Sequence, residues 1–247
     1  MGVTLPGRIA LVGSGEYLPV MHDIERMLLE GRPARYVQMA TAAAPEGAAS
    51  LGYWHELGAR AAERLGVEQV VLDVRNRVDA DEPHWASLLE GAGLIYLSGG
   101  NPAFLARTLI GTRVWTAMRE AWLAGASIAG CSAGAMALAG HVPEFRRPGH
   151  GGVAGLGVVP EVRVFPHFDR MAARLPDFAL TIATAARHAN VIGIDEDTAL
   201  IGEPTDAEHW EFTVMGRQSA WIVGPEHRTR VETSVRLRVD AVQTSGV

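Results

Sequence analysis

Ser127-Ile128-Ala129-Gly130-Cys131-Ser132-Ala133-Gly134-Ala135-Met136 is the stretch on which the reading of this chain turns. A short apolar run of strand type leads into Gly-x-Ser-x-Gly, and good helix formers follow. The motif needs that context. A sharp strand-to-helix turn lifts the central serine hydroxyl out of a sheet, and the flanking glycines let backbones approach closely. The helix that starts after Ser132 leaves its first N–H groups free to face a developing negative charge. Cys131 is the neighbouring candidate, because a thiolate is the stronger nucleophile. An elbow exposes its central residue and turns the preceding side chain back into the sheet, so Cys131 is expected to be a small buried hydrophobe.

Working outward toward the N-terminus, apolar runs alternate with helical patterns. Strand-like segments are Arg8–Val12, Arg35–Met39, Gln69–Val74, Gly93–Leu97 and Ala126–Ala129. Helical patterns cover Pro19–Glu30, a stretch ending near Leu65-Gly66, Trp85–Glu90, Ala103–Ile110 and Arg113–Ala124, with Thr41–Ser50 a loop of small residues. Alternation at this spacing predicts a doubly wound, mainly parallel α/β sheet, whose strands are apolar throughout because both faces are covered.

Past the elbow the pattern changes. His141–Gly157 is a Gly- and Pro-containing loop, followed by a strand-like Val158–Phe165. A helical pattern over Arg170–His188 is expected to kink or restart at Pro176, and Val191–Ile194 is a further strand. The segments Thr198–Gly202, His209–Val214, Ala220–Val223 and Val231–Val239 form an antiparallel C-terminal extension, with turns at Gly216 and Gly224-Pro225. No linker and no internal repeat interrupts residues 1–247, so a single domain is expected.

A serine hydroxyl is inert without a base. Of nine histidines, His167 stands where a strand ends at Phe165-Pro166 and a helix begins near Asp169. Strand carboxyl ends are where doubly wound sheets bind ligands. Glu196 stands similarly after Val191–Ile194 and is placed to orient an imidazole, although Asp195-Glu196-Asp197 also reads as a solvated turn. Asp169 is a rival acid, but two residues from His167 it more naturally caps the following helix. In Leu97-Ser98-Gly99-Gly100-Asn101-Pro102, amides of the Gly-Gly turn can approach an oxyanion, while Asn101 can also simply cap a helix.

Composition bounds the alternatives. Hydrophobic residues make up 48% and charged residues 20%, with 22 basic against 28 acidic side chains and a net charge of −6. No block of like charges suggests nucleic-acid binding. One cysteine excludes an internal disulfide and a multi-cysteine zinc site. Neither a leader pattern nor an apolar run of membrane-spanning length occurs, so a cytoplasmic location without membrane contact is expected.

Gly99-Gly100-Asn101, Gly130–Ala135, His167-Phe168 and Gly193–Leu200, taken together and in this order, resemble peptidase family S51, which includes aspartyl dipeptidase and cyanophycinase. The resemblance implies a flavodoxin-like sheet akin to class I glutamine amidotransferases. It implies Ser132 as nucleophile, His167 as base, Glu196 as orienting acid, and Gly100 and Ala133 amides as the oxyanion hole. It further implies a small peptide substrate, read at an acidic group by Arg170 or Arg174 beside Asn101. No metal or organic cofactor is expected, and the assembly is a monomer or homodimer. Two other readings stay open. One is an α/β-hydrolase-type esterase using His209 or His227. The other is a non-catalytic binding protein that keeps the elbow as scaffold.

Overall fold

The computed structural model describes residues 5–143, 152–171, 190–205, 209–224 and 227–240. The first strands are β1 (Ile9–Val12), β2 (Arg35–Met39), β3 (Glu68–Val71), β4 (Leu94–Leu97) and β5 (Ser127–Cys131). After them come β6 (His141–Val142), β7 (Val153–Ala154), β8 (Val162–Phe165), β9 (Asn190–Ile194) and β10 (Thr198–Pro204). The last are β11 (His209–Gly216), β12 (Ala220–Val223), β13 (Arg228–Arg230) and β14 (Ser234–Arg238). The helices are α1 (His22–Leu29), α2 (Ala48–Leu65), α3 (Arg77–Ala80), α4 (Pro83–Ser87), α5 (Pro102–Leu109), α6 (Arg113–Leu123), α7 (Ala133–Leu138) and α8 (Phe168–Met171).

Eight strands form the main sheet in the order β14-β11-β10-β1-β5-β4-β2-β3. The five strands from β1 to β3 in that order are parallel, and β10, β11 and β14 continue the sheet antiparallel. The α/β class and the antiparallel extension are thus as the sequence implies. Period-two alternation divides the parallel strands between two cores. Leu11, Val37, Ile95 and Ile128 face the core built on α5, α6 and α7. Ala10, Tyr36, Tyr96 and Ala129 face the core built on α1 and α2. Trp122 shows how tightly the first core closes: it is fully buried, and its Nε1–H donates to Gly7 O at 2.8 Å. Burying a side chain of that size stabilises the fold by about 2–3 kcal/mol.

The structure departs from the expected elements in four places. First, β8 and β9 do not extend the main sheet; they pair in parallel within a second, four-stranded sheet, β13-β12-β9-β8. Second, of the strands expected in the extension, Ala220–Val223 (β12) pairs in the small sheet, and Val231–Val239 is a strand only over Ser234–Arg238 (β14), preceded by β13, which also joins the small sheet. Third, Thr41–Glu46 is a 3-10 turn and not open loop, with Thr41, Ala42 and Ala43 buried. Fourth, the Gly- and Pro-containing segment after the elbow carries the β6–β7 ribbon. The helix expected over Arg170–His188 is described only as far as Met171, so Pro176 and Arg174 lie outside the described residues. No helix among the described residues is long and apolar enough to cross a membrane.

Candidate active site

Parallel strands β1, β4 and β5 end together, and the turns that follow them converge at this edge. Ser132 is the first residue past β5, with φ 49° and ψ −108°, a backbone that costs a non-glycine residue about 1–3 kcal/mol. Its amide donates to Val12 O at 2.9 Å, fixing the elbow to β1. The two motif glycines are there for close approach. A Cβ on Gly130 would lie 2.4 Å from the Gly134 carbonyl carbon, and one on Gly134 would lie 2.2 Å from Leu97 O. Cys131 is buried as expected, and burial pushes its thiol well above the ordinary range. It is therefore a thiol, and Sγ–H donates to Glu16 Oε2 at 2.8 Å.

His167 follows the end of β8, also with positive φ (48°), and α8 begins at Phe168 directly after it. Its Nε2 lies 3.0 Å from Ser132 Oγ, and its Nδ1 lies 3.0 Å from Glu196 Oε1. Glu196 sits in the three-residue turn between β9 in the small sheet and β10 in the large one. The structure thus brings Ser132, His167 and Glu196 into one chain of hydrogen bonds across the seam between the sheets.

That turn is held from several sides. Asp195 is buried, which raises its carboxyl, and it accepts from Trp221 Nε1–H at 3.0 Å and Ser219 N–H at 3.2 Å. Asp169, expected to cap a helix, instead accepts the Glu196 amide at 3.0 Å. Its other oxygen accepts from Gln218 Nε2 at 3.3 Å, and the same nitrogen donates to Glu196 O at 3.0 Å. Arg170 places Nε 2.7 Å from Glu196 Oε2, with its side chain 63% exposed.

The turn after β4 carries the expected amides. Gly100 takes φ 134°, and a Cβ there would lie 2.4 Å from the Ala42 carbonyl. Amides of Ser98, Gly99 and Asn101 are committed to Met39 O, Glu16 Oε1 and Ala42 O. Gly100 N–H is the remaining amide of the turn, and Ala133 N–H, first in α7, has no acceptor in its own helix. Asn101 Oδ1 caps α5 by accepting from Phe104 N–H at 2.9 Å.

His209 begins β11 beyond the end of β10, at the edge of the sheet opposite Ser132, because β10 runs against β1. Three strand spacings of about 4.8 Å also separate β11 from β5. His227 closes the β12–β13 hairpin, accepting Gly224 N–H on its carbonyl. Neither approaches the serine as His167 does. Among the described residues, no cluster of three or more His, Cys, Asp or Glu side chains is arranged to hold a metal ion.

Glu16 is the residue that sequence reasoning missed. Gly15-Glu16-Tyr17 has the composition of an exposed turn, yet Glu16 is 6% exposed beneath the elbow. Backbone geometry offers a further signature. Four non-glycine residues among those described have positive φ: Tyr17, Ser132, His167 and Asp197. Each belongs to the site or adjoins a member of it, as expected where strain is retained for function.

The chain is 33% identical over 180 residues to the cyanophycinase of Trichormus variabilis, covering 68% of this chain and 57% of that one. It is 30% identical over 166 residues to the cyanophycinase of Geminocystis herdmanii, covering 62% and 57%. It therefore spans somewhat over half the length of the curated relatives it matches. The crystal structure of a peptidase from an acI-B1 Actinobacterium superposes with a TM-score of 0.86 at 38% identity, covering 94% of this chain and 98% of that one. The profile of peptidase family S51 matches residues 21–209, more than three quarters of the sequence, and the chain belongs to that family.

Proposed function

We propose that this chain is a serine peptidase that cleaves amide bonds of small peptides or isopeptides, with Ser132 as nucleophile. The observation that carries the reading is the run of two 3.0 Å contacts from Ser132 Oγ through His167 to Glu196, at an elbow of strained backbone. With Nδ1–H donated to Glu196, His167 Nε2 is free to accept the serine proton. Oγ attacks the substrate carbonyl as its proton passes to Nε2. The resulting oxyanion is held by Gly100 and Ala133 N–H. The imidazolium then protonates the leaving nitrogen and the C–N bond breaks, leaving an acyl ester on Ser132. Water attacks that ester while giving its proton to His167, and Ser132 departs with the proton returned. Glu196 keeps the imidazole in the required tautomer and stabilises its charged form.

Arg170 and Arg174 are the proposed readers of an acidic group at the cleaved bond, with Asn101 a further proposed contact of the substrate. Family membership and the cyanophycinase relatives support a peptide or isopeptide substrate. The test is hydrolysis of Asp-X dipeptides and β-linked Asp peptides, run beside labelling by a fluorophosphonate. Wild type and Cys131→Ala should both be labelled, whereas Ser132→Ala should not, with turnover lower by about 10⁶. Labelling that follows Cys131 instead of Ser132 would overturn the assignment. The absence of labelling in wild type would leave the elbow as scaffold.

A further inference from the structure

We infer that Glu16 is a positioning residue for the oxyanion hole: one buried carboxylate sets the separation of the two turns that supply its amides. The inference rests on the serine-peptidase reading above and deepens it. Each oxygen of Glu16 holds one turn. Oε1 accepts Gly99 N–H at 2.9 Å, and Gly99 precedes Gly100, one proposed donor. Oε2 accepts Cys131 Sγ–H at 2.8 Å, and Cys131 precedes Ser132 and Ala133, the nucleophile and the other donor. The carboxylate lies between the ends of β4 and β5, where no ladder hydrogen bond spaces the two turns.

Local packing shows that the position is built for this contact. A Cβ on Gly99 would fall 2.8 Å from Glu16 Oε1, so the glycine at 99 is what admits the carboxylate. The same Cβ would lie 3.5 Å from Ser132 Cβ, so Gly99 is close to both Glu16 and the nucleophile. The neighbouring residue repeats the link: Tyr17 Oη and Ser98 Oγ are 2.8 Å apart, and Tyr17 keeps a left-handed backbone, φ 63°. The Glu16-Tyr17 pair thus grips Ser98-Gly99 at two points, while the amide of Gly100 is left to face the substrate. Loss of the Gly99 acceptor frees that amide to rotate. Donors in an oxyanion hole act only when aimed at the position the oxyanion will take.

Fluorophosphonate inactivation of the full chain tests this, because the phosphoryl oxygen occupies the oxyanion site. The readouts are the limiting inactivation rate and the half-saturating probe concentration, measured separately. Glu16→Ala should lower the limiting rate by about tenfold or more, short of the roughly 10²–10³ lost with a whole donor. Half-saturation should stay unchanged. Glu16→Gln keeps an acceptor for Gly99 N–H and should stay within about threefold of wild type, a rescue that tracks hydrogen-bond acceptance and not charge. Should the alanine variant not fold, Glu16→Met keeps the volume without the acceptor and is expected to be as slow. A Glu16→Ala or Glu16→Met rate near wild type overturns the inference, as does a folded Glu16→Gln as slow as either. If wild type itself is unlabelled, the serine reading falls first and this inference with it. The two failures are thereby told apart.

Discussion

Glu25 makes the stability of this protein depend on pH in a direction opposite to that of most carboxylates. It lies on α1, 1% exposed, with Oε1 accepting from Tyr17 N–H at 3.2 Å and Tyr36 O–H at 3.1 Å. Oε2 has no partner among the described residues. Loss of hydration raises its pKa from 4.5 to about 7, with the Glu16 carboxylate adding to the rise. Hydrogen bonds from Tyr36 and Tyr17 and the charge of Arg64 oppose it. The folded chain therefore keeps a proton at Glu25 that the unfolded chain releases above pH 4.5. Stability from this group is fully present below the unfolded value and is lost as pH rises through the folded one. The span from 4.5 to about 7, at about 1.36 kcal/mol per pH unit, amounts to about 3 kcal/mol. Glu25→Gln keeps the shape and removes the titration. Urea denaturation of both proteins at intervals from about pH 4 to about pH 8 gives the difference in unfolding free energy, in which other titrating groups cancel. Wild type should lose about 3 kcal/mol relative to the variant over that range, most of it between pH 5 and 7. Parallel stability curves would refute the reasoning and mean that Glu25 ionises inside the fold as it does in water.

His167→Ala should be nearly as damaging to hydrolysis as Ser132→Ala, with the double variant little worse than either, because members of such a unit do not contribute additively; full additivity would move the base elsewhere. Glu196→Gln should lower turnover while leaving the circular dichroism spectrum and melting temperature close to wild type, since an amide does not stabilise an imidazolium as a carboxylate does. Arg170→Ala should lower kcat/KM for Asp-containing peptides about tenfold more than for neutral analogues, the discrimination of a charge-assisted contact. An equal loss for both classes would assign Arg170 to holding Glu196 alone.

The parallel half of the main sheet was legible because its chemistry is local. Ile9–Val12, Leu94–Leu97 and Ser127–Cys131 are buried on both faces, so an unbroken apolar run identifies them. Val162–Phe165 and Asn190–Ile194 carry the same kind of run, yet they pair in a different sheet. The partner of a strand is chosen by residues far away in sequence, and apolar pattern alone does not distinguish one covered sheet from another. In the site, Ser132, His167 and Glu196 each follow the end of an apolar strand, which is a local signal. Glu16 gives none, because its burial depends on Gly99 and Cys131, 83 and 115 residues away. Asp169 was misread for the same reason: the helix start beside it offered an obvious partner, and the amide it holds belongs to Glu196.

On the proposed mechanism, the division of the site between two sheets makes catalysis a strain gauge for their docking. Ser132 moves with the large sheet, His167 with β8 of the small one, and Glu196 with the turn common to both. A slide of the sheets by little more than half an ångström along the Ser132–His167 axis would carry that 3.0 Å contact past 3.5 Å, where little of a hydrogen bond remains. Every ladder within either sheet would survive such a slide, and so would the spectroscopic signature of the fold. Turnover should accordingly fade under heat or denaturant while secondary structure is still intact.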